Sequence, residues 1–422
     1  MKKHFFTADI LLPDMSKQDG RTWSCVACDQ YTSEPEYWES IEREIKDAPS
    51  TLKLILPEVY LSETDNRIGK IHSAMKDYLE SVLVSHPDSM IYLERTLSDG
   101  RVRKGIIGAI DLTEYDYRRG SDSLIRATEA TVAERIPPRM KVRRGAPLEL
   151  PHVMLLIDDR NDSAMNIASS AKNSAPVYDH DLLKNSGHVT GYLLDPDTVA
   201  RVEAALAELI RPETIEKNYG DANIAPLLFA VGDGNHSLAT AKACYEEIRA
   251  ELGDEAAKDH PARYALVEVV NLWDSSLEFE PIYRVVFGVE PQKLLAAFEK
   301  YATEQNGSAA SQTVTWVYGE DSEGSVTIPH PTSNLAVGSV QDFLDSYMKT
   351  YAPESAYIDY IHGEDTARAL AAKDNAVAFI YDGMAKDELF ATVIADGALP
   401  RKTFSMGHAE DKRFYTEARK IL

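Results

Sequence analysis

The sequence predicts a mixed α/β to α+β fold. Amphipathic stretches with a helical period alternate with short runs rich in Val, Ile and Leu. Turn signals such as Asp99-Gly100 punctuate them. At residues 224–238 an apolar run passes through a two-glycine turn directly into a helical pattern, a strand–turn–helix unit.

The elements follow in order. Residues 23–27 read as a strand. Ser33 and Glu36 form a capping box with Pro35 in the first turn, opening a helix through Tyr37, Trp38, Ile41 and Ile45. Residues 65–83 form a second helix, with Ile68, Ile71, Met75, Tyr78, Leu79 and Val82 on one face. Residues 90–96 and 101–112 are strands joined by the Asp99-Gly100 hairpin turn.

Residues 152–157 are a short buried strand ending in Asp158-Asp159. Residues 197–210 are a helix with Val199, Val202, Leu206, Leu209 and Ile210 inward. Residues 224–231 are a buried strand, 238–250 a helix and 264–273 a strand. Beyond these, helices at 291–304 and 340–351 alternate with strands at 313–318, 376–381 and 389–394. The expected regions are 1–150 (N-terminal α/β), 151–290 (α/β, carrying the glycine turn) and 291–422 (C-terminal α+β).

The 422 residues carry 45 Lys plus Arg against 68 Asp plus Glu, a formal net charge of −23. That excess argues against nucleic acid or an anionic membrane as the partner, because both repel it. A small anionic ligand then needs a local basic pocket. Residues 1–14 hold no uninterrupted apolar run, since Thr7 and Asp9 break it, and no later stretch approaches the roughly 18 apolar residues of a membrane span. A cytoplasmic protein is expected. Cys25 and Cys28 form a C-x-x-C, but only Cys244 remains for a second pair. On a strand these thiols are expected to be small buried hydrophobes.

Three segments could carry chemistry. In the first, Gly232, Asp233, Gly234, Asn235, His236 and Ser237 join a buried strand to a helix. The glycines allow a ligand close to the backbone, and helix N–H groups point at it. Asp233 could hold a metal ion or take a substrate proton, and His236 could donate to phosphate. Ser237 and Thr240 add hydroxyls. The string lacks the Lys of a Walker loop, and the third position of a dinucleotide fingerprint is Ser237. A plain turn with Asn235 as N-cap fits equally.

The second segment, residues 125–149, is basic through Arg126, Arg135, Arg139, Lys141, Arg143 and Arg144, interleaved with Glu129 and Glu134. Pro137-Pro138 is expected to end a helix, leaving a bent basic segment that could line a phosphate or carboxylate pocket. A solvated charged helix face is the alternative. The third segment follows residues 389–394 and carries Arg401, Lys402, Thr403, Ser405 and Gly407. It could bind an anion or be an exposed loop.

These strings resemble the domain-of-unknown-function family 1015: WSCVACDQYTSEPE at 23–36, ERIPPRMKVRRGAPLELPH at 134–152, GDGNHSLATAKA at 232–243 and PRKTFSMG at 400–407. The resemblance spans essentially the whole chain. Asp233-Gly234-Asn235-His236-Ser237 is also similar to the D-G-H-H-R type motif of free serine kinases of the ParB/sulfiredoxin-like superfold. Ser237 stands where that motif has Arg, and Asn235 where it has the first His.

The resemblance implies a mixed-sheet core with a ParB/sulfiredoxin-like nucleotide-binding element and additional α+β regions. The implied function is a nucleotide-dependent phosphotransferase on a small polar metabolite, with free serine the leading acceptor and a place in serine metabolism. ATP or ADP with Mg²⁺ are its implied cofactors. Asp233, His236 and Glu129 are the catalytic candidates. Gly232, Gly234, Asn235, Ser237, Thr240, Arg126, Arg135, Lys402 and Thr403 would hold phosphate. Asp29, Gln30 and Tyr31 would face the acceptor, and Asp233 is the candidate Mg²⁺ ligand. The alternative is a non-catalytic regulatory protein that binds a nucleotide or phosphometabolite. A hydrolase built on His152, Asp158 or Asp159 is a third reading.

Overall fold

The computed structural model describes residues 2–129, 136–150 and 152–422, and it is a mixed α/β protein. The chain divides into two compact units, Met1–Leu277 with His408–Leu422, and Glu278–Gly407. Among the described residues, no helix is long and apolar enough to cross a membrane.

The first unit is built on a nine-stranded mixed sheet among the described residues. Its order is Tyr115–Asp116, Ile125–Ala127, Phe229–Asp233, Met154–Ile157, Tyr264–Asn271, Val102–Asp111, Ile91–Thr96, His188–Leu193 and Tyr178–Asp181. Met154–Ile157 is buried along its whole length, and Tyr264–Asn271 along all but its first residue. That is why Met154–Ile157 reads as a continuous apolar run, and why Tyr264–Asn271 is apolar on both faces apart from Glu268 and Asn271. They pair in parallel, with Val269 opposite Leu155. Phe229–Asp233 runs parallel to Ile125–Ala127 on one side and antiparallel to Met154–Ile157 on the other.

The Asp99-Gly100 hairpin forms as expected. Leu97 N–H donates to the Arg101 carbonyl at 2.8 Å, and Gly100 takes φ +88°. Helix Pro196–Glu208 starts with Pro in its first turn, and the Asp195 side chain accepts from Thr198 N–H. Its Val199, Val202 and Leu206 join the core with Leu155, Phe229, Val231 and Val267. Helix Thr64–Ser81 buries Ile71, Met75 and Tyr78, while Ile68 and Leu79 lie at the margin of that face.

A smaller sheet orders Leu83–Ser89, Ala8–Pro13, Ala418–Lys420 and Leu148–Glu149. It ties the start of the chain to its end. The second unit has a six-stranded sheet of antiparallel pairs. Phe279–Phe287 pairs with Tyr357–His362, Ala376–Ile380 and Phe404–Met406, and Gln312–Tyr318 links Ala376–Ile380 to Ser322–Ile328. Helices Pro291–Glu304 and Ala336–Thr350 contribute Phe298 and Phe343, whose ring centroids are 4.9 Å apart.

Several elements differ from expectation. Residues 23–27 are not a strand. Gly20–Trp23 is a helical turn capped by Asp19, and the following backbone makes one isolated bridge, Val26 to Phe414. Helix Pro35–Ile45 forms, but Glu34 occupies the cap with no side-chain bond, so the Ser33 capping box is absent. Pro137-Pro138 does not end a helix: both prolines lie within helix Ile136–Arg143, which continues through Arg143. Only Phe229–Asp233 of the run from residue 224 is strand, since Pro226 has no N–H to pair. Residues 389–394 lie within helix Lys386–Asp396, where Leu389, Phe390 and Val393 form one buried face.

Candidate functional site

The first unit encloses a cavity of about 630 Å³. Its walls include residues 28–32, the segment 54–61 around Glu58, helix Ile136–Arg143 with residues 146–150 and His152 beyond it, the first turns of helix Asn235–Leu252, and Tyr415.

The irregular backbone after Trp23 is held by hydrogen bonds that compensate for its missing sheet. Cys25 N–H donates to Thr51 Oγ1 at 3.1 Å, Ala27 N–H to the Arg413 carbonyl at 3.0 Å, and Cys28 N–H to Tyr415 Oη at 3.2 Å. This pinning sets Asp29 at the cavity wall. Asp29 Oδ2 lies 3.4 Å from His152 Nε2, and the other imidazole nitrogen lies 2.7 Å from Tyr415 Oη. Burial alone would raise the Asp29 pKa, but His152 outweighs it and holds the carboxyl well below its usual range. Burial would lower the His152 pKa, but Asp29 outweighs that and leaves the imidazole raised. Each group therefore favours the charged form of the other.

Across the cavity, helix Ile136–Arg143 presents Arg139 and Arg143 one turn apart. Arg139 pairs with Glu58. Arg143 Nη2 lies 2.5 Å from Glu149 Oε2, and Arg419 Nε lies 2.9 Å from Glu149 Oε1. Burial raises the Glu149 pKa, but the two guanidinium groups outweigh it and keep the carboxyl below its ordinary value.

The third wall is the predicted glycine turn. Gly234 is the N-cap, at φ +82°, so Asn235 is inside the helix rather than capping it. A Cβ on Gly234 would sit 3.0 Å from Val153 Cα, which together with the positive φ explains the glycine. The first intrahelical bond runs from Leu238 N–H to the Gly234 carbonyl. The preceding N–H groups point out along the helix axis, as in an anion site. His236, Ser237 and Thr240 line the cavity. Thr240 Oγ1 donates to the His236 carbonyl at 2.7 Å.

Gly232, Asp233, Gly234 and Asn235 form the turn behind these residues and are not part of the lining. Asp233 Oδ1 accepts its neighbour Gly234 N–H at 2.9 Å, and Oδ2 lies 3.6 Å from Lys412 Nζ. Among the described residues no group of three or more His, Cys, Asp or Glu could hold a metal ion. A lone carboxylate already matched by an ammonium does not fit a resident Mg²⁺.

The other expected site residues are dispersed. Gln30 donates to Asp29 Oδ1 at 3.0 Å, and Tyr31 stacks on Tyr37 at 3.7 Å; neither lines the cavity. Arg126 is buried, and its guanidinium donates to the carbonyls of Ser123, Ala225 and Pro226, so it holds the fold together instead of facing the cavity. Glu129 lies just beyond strand Ile125–Ala127, where the Thr128 hydroxyl donates to the Val231 carbonyl at 2.6 Å. Arg135 lies outside the described residues. Lys402 and Thr403 belong to the second unit. Lys402 Nζ lies 4.7 Å from the Tyr360 ring centroid, and Thr403 Oγ1 donates to the Pro400 carbonyl.

The hydrolase grouping separates as well. Asp158 accepts from Tyr219 Oη at 2.8 Å and Trp273 Nε1 at 2.6 Å, Asp159 accepts from Ala164 N–H, and His152 faces Asp29. The Cys25 thiol is pushed up to about 12 by burial, and Cys28 is raised further by burial, so neither is a ready thiolate.

Sequence reasoning missed the pairing of Asp29 with His152, and it missed Glu58 and Tyr415 as lining residues. Arg139 and Arg143 had a signal, their spacing of four, which becomes legible once the helix is seen to continue past Pro137-Pro138. Tyr415 and Glu58 had none.

No curated protein is similar to the chain by sequence. Similar solved structures include a free serine kinase in complex with AMP, at 12% identity and TM-score 0.36, covering 72% of this chain and 89% of that one. A conserved hypothetical protein from Pyrococcus furiosus gives 12% identity and TM-score 0.34, covering 71% and 90%. A C-terminally truncated SbnI from Staphylococcus aureus gives 12% identity and TM-score 0.35, covering 71% and 82%. At this level of similarity none of them assigns a ligand to this chain. The family described as protein of unknown function (DUF1015) matches residues 13–347, and the chain belongs to that family.

Proposed function

We propose that this protein is a nucleotide-dependent phosphotransferase acting on a small polar metabolite, with free serine the first acceptor to test. The observation that carries the reading is the cavity itself. It joins the start of helix Asn235–Leu252, a carboxylate held ionised by a buried imidazole, and two guanidinium groups. Phosphoryl transfer relies mainly on positioning and charge stabilisation, and such a set supplies both.

In this reading ATP or ADP lays its phosphates against the first turn at His236 and Ser237, with Asp233, Gly234 and Asn235 shaping the turn. Arg139 and Arg143 neutralise charge on the transferred group, in the place first expected of Arg126, Arg135 and Lys402. Asp29 faces the acceptor hydroxyl and takes its proton, while His152 and Tyr415 fix its orientation. Mg²⁺ would arrive on the nucleotide rather than reside on Asp233.

The second reading is a non-catalytic nucleotide- or phosphometabolite-binding regulator. Both cavity arginines already face carboxylates, Glu58 and Glu149, and Ser237 supplies no guanidinium. Both features weaken a phosphate clamp. Purified protein incubated with ATP, ADP or CTP, with and without serine, separates the readings. Phosphorylated product supports the enzyme. A thermal shift with nucleotide and no product supports the regulator, because a ligand that binds only the folded state raises its stability. Neither product nor shift rejects both.

A further inference from the structure

We propose that a second cavity in the first unit binds a small amphipathic anion, an acidic group carried on an apolar or aromatic body. This cavity of about 450 Å³ lies between helices Pro35–Ile45 and Thr64–Ser81, within the range of small-molecule sites. It shares one lining residue, Ile55, with the larger cavity, and the proposal does not depend on phosphotransfer.

The floor is apolar: Ile45, Leu52, Ile55 and Ile71 are all buried. The lining carries four cations, Lys46, Lys53, Arg67 and Lys70, against one carboxylate, Glu42. In a chain of net charge −23 this is a local reversal of sign. Two of the cations are fixed. The Arg67 guanidinium lies 4.0 Å from the Tyr60 ring centroid and bonds Glu63 at 2.8 Å, and Lys53 Nζ donates to the Ala48 carbonyl at 2.9 Å. Lys46 and Lys70 are in no ion pair among the described residues. Lys46 also adopts φ +53° and ψ −124°, a backbone conformation strained for any residue but glycine. The apolar floor favours a body excluded from water, and the cationic rim favours an acidic head.

The test uses 1-anilinonaphthalene-8-sulfonate as the anionic probe and N-phenyl-1-naphthylamine as its neutral counterpart. Titration of the full chain is expected to give saturable fluorescence with the sulfonate and weaker binding of the neutral dye. Lys46→Glu with Lys70→Glu, both exposed positions, should weaken the sulfonate about tenfold or more at unchanged melting temperature. Hydrogen exchange should show probe-induced protection confined to residues 42–57 and 60–74. The proposal is overturned by no saturable binding, equal affinity for the neutral dye, affinity unchanged in the double variant, or protection elsewhere.

Discussion

The carboxylate of Asp29 lies 3.4 Å from Nε2 of His152, and each group favours the charged form of the other at the wall of the larger cavity. The sign of each contribution to stability follows. The folded pKa of Asp29 is depressed, so its contribution is complete above the unfolded value of about 4 and is lost as pH falls through the folded value. The folded pKa of His152 is raised, so its contribution is complete below about 6.5 and is lost as pH rises through the folded value. Asp29→Asn is expected to lower the His152 pKa in an NMR titration and to flatten the loss of melting temperature above neutrality. An unmoved His152 titration would reject the pairing.

His236 stands in the first turn of the helix that borders the cavity. If phosphate is bound there, His236→Ala should lower kcat by about 10²–10³, or roughly 2.7–4 kcal/mol of transition-state stabilisation. Steady-state phosphotransfer assays read this directly. Activity retained within a few-fold would remove His236 from the reaction.

Gly234 combines φ +82° with a close approach to Val153. Gly234→Ala is expected to destabilise the protein by about 1–3 kcal/mol and, on the proposed function, to weaken nucleotide binding together with stability. Urea unfolding measures the first effect and calorimetric titration the second. Unchanged unfolding would show that the turn relaxes around a Cβ.

Glu149 is buried between Arg143 and Arg419 and also accepts the Leu266 N–H at 2.9 Å. Arg419→Met leaves that carboxylate partly uncompensated and should cost about 3–5 kcal/mol in chemical denaturation. Arg419 lies outside the cavity lining, so any nucleotide affinity the proposed function gives, measured below the unfolding transition, should stay close to wild type.

In the second unit, Arg284 is fully buried. It donates to the Gln341 side chain, the Tyr381 hydroxyl and the carbonyls of Ile282, Arg401 and Lys402. The basic loop expected to bind an anion thus turns its backbone onto a buried cation. Arg284→Lys cannot reproduce the planar fork and should destabilise this unit by about 2–5 kcal/mol. Limited proteolysis would show faster cleavage within residues 278–407. An unchanged digestion pattern would contradict the anchoring role.

The sequence alone determined what is local. The Asp99-Gly100 hairpin, the faces of helices Thr64–Ser81 and Pro196–Glu208, and the buried strands Met154–Ile157 and Tyr264–Asn271 follow from turn chemistry and periodicity. The strand–turn–helix unit at Gly232–Ser237 was legible for the same reason.

The tertiary structure alone decided what depends on distant partners. Residues 24–28 carry strand-like residues yet form no strand, because their hydrogen bonds go to Thr51 and to residues 413–415 near the chain end. Arg126 and Arg143 look alike in sequence. One turns to backbone carbonyls in the interior and the other to a cavity wall. Asp29 and His152 became a charged pair only when the backbone brought them together. Periodicity reports which face is buried; it carries no information on which buried charge will meet which, because that is set by long-range packing and desolvation.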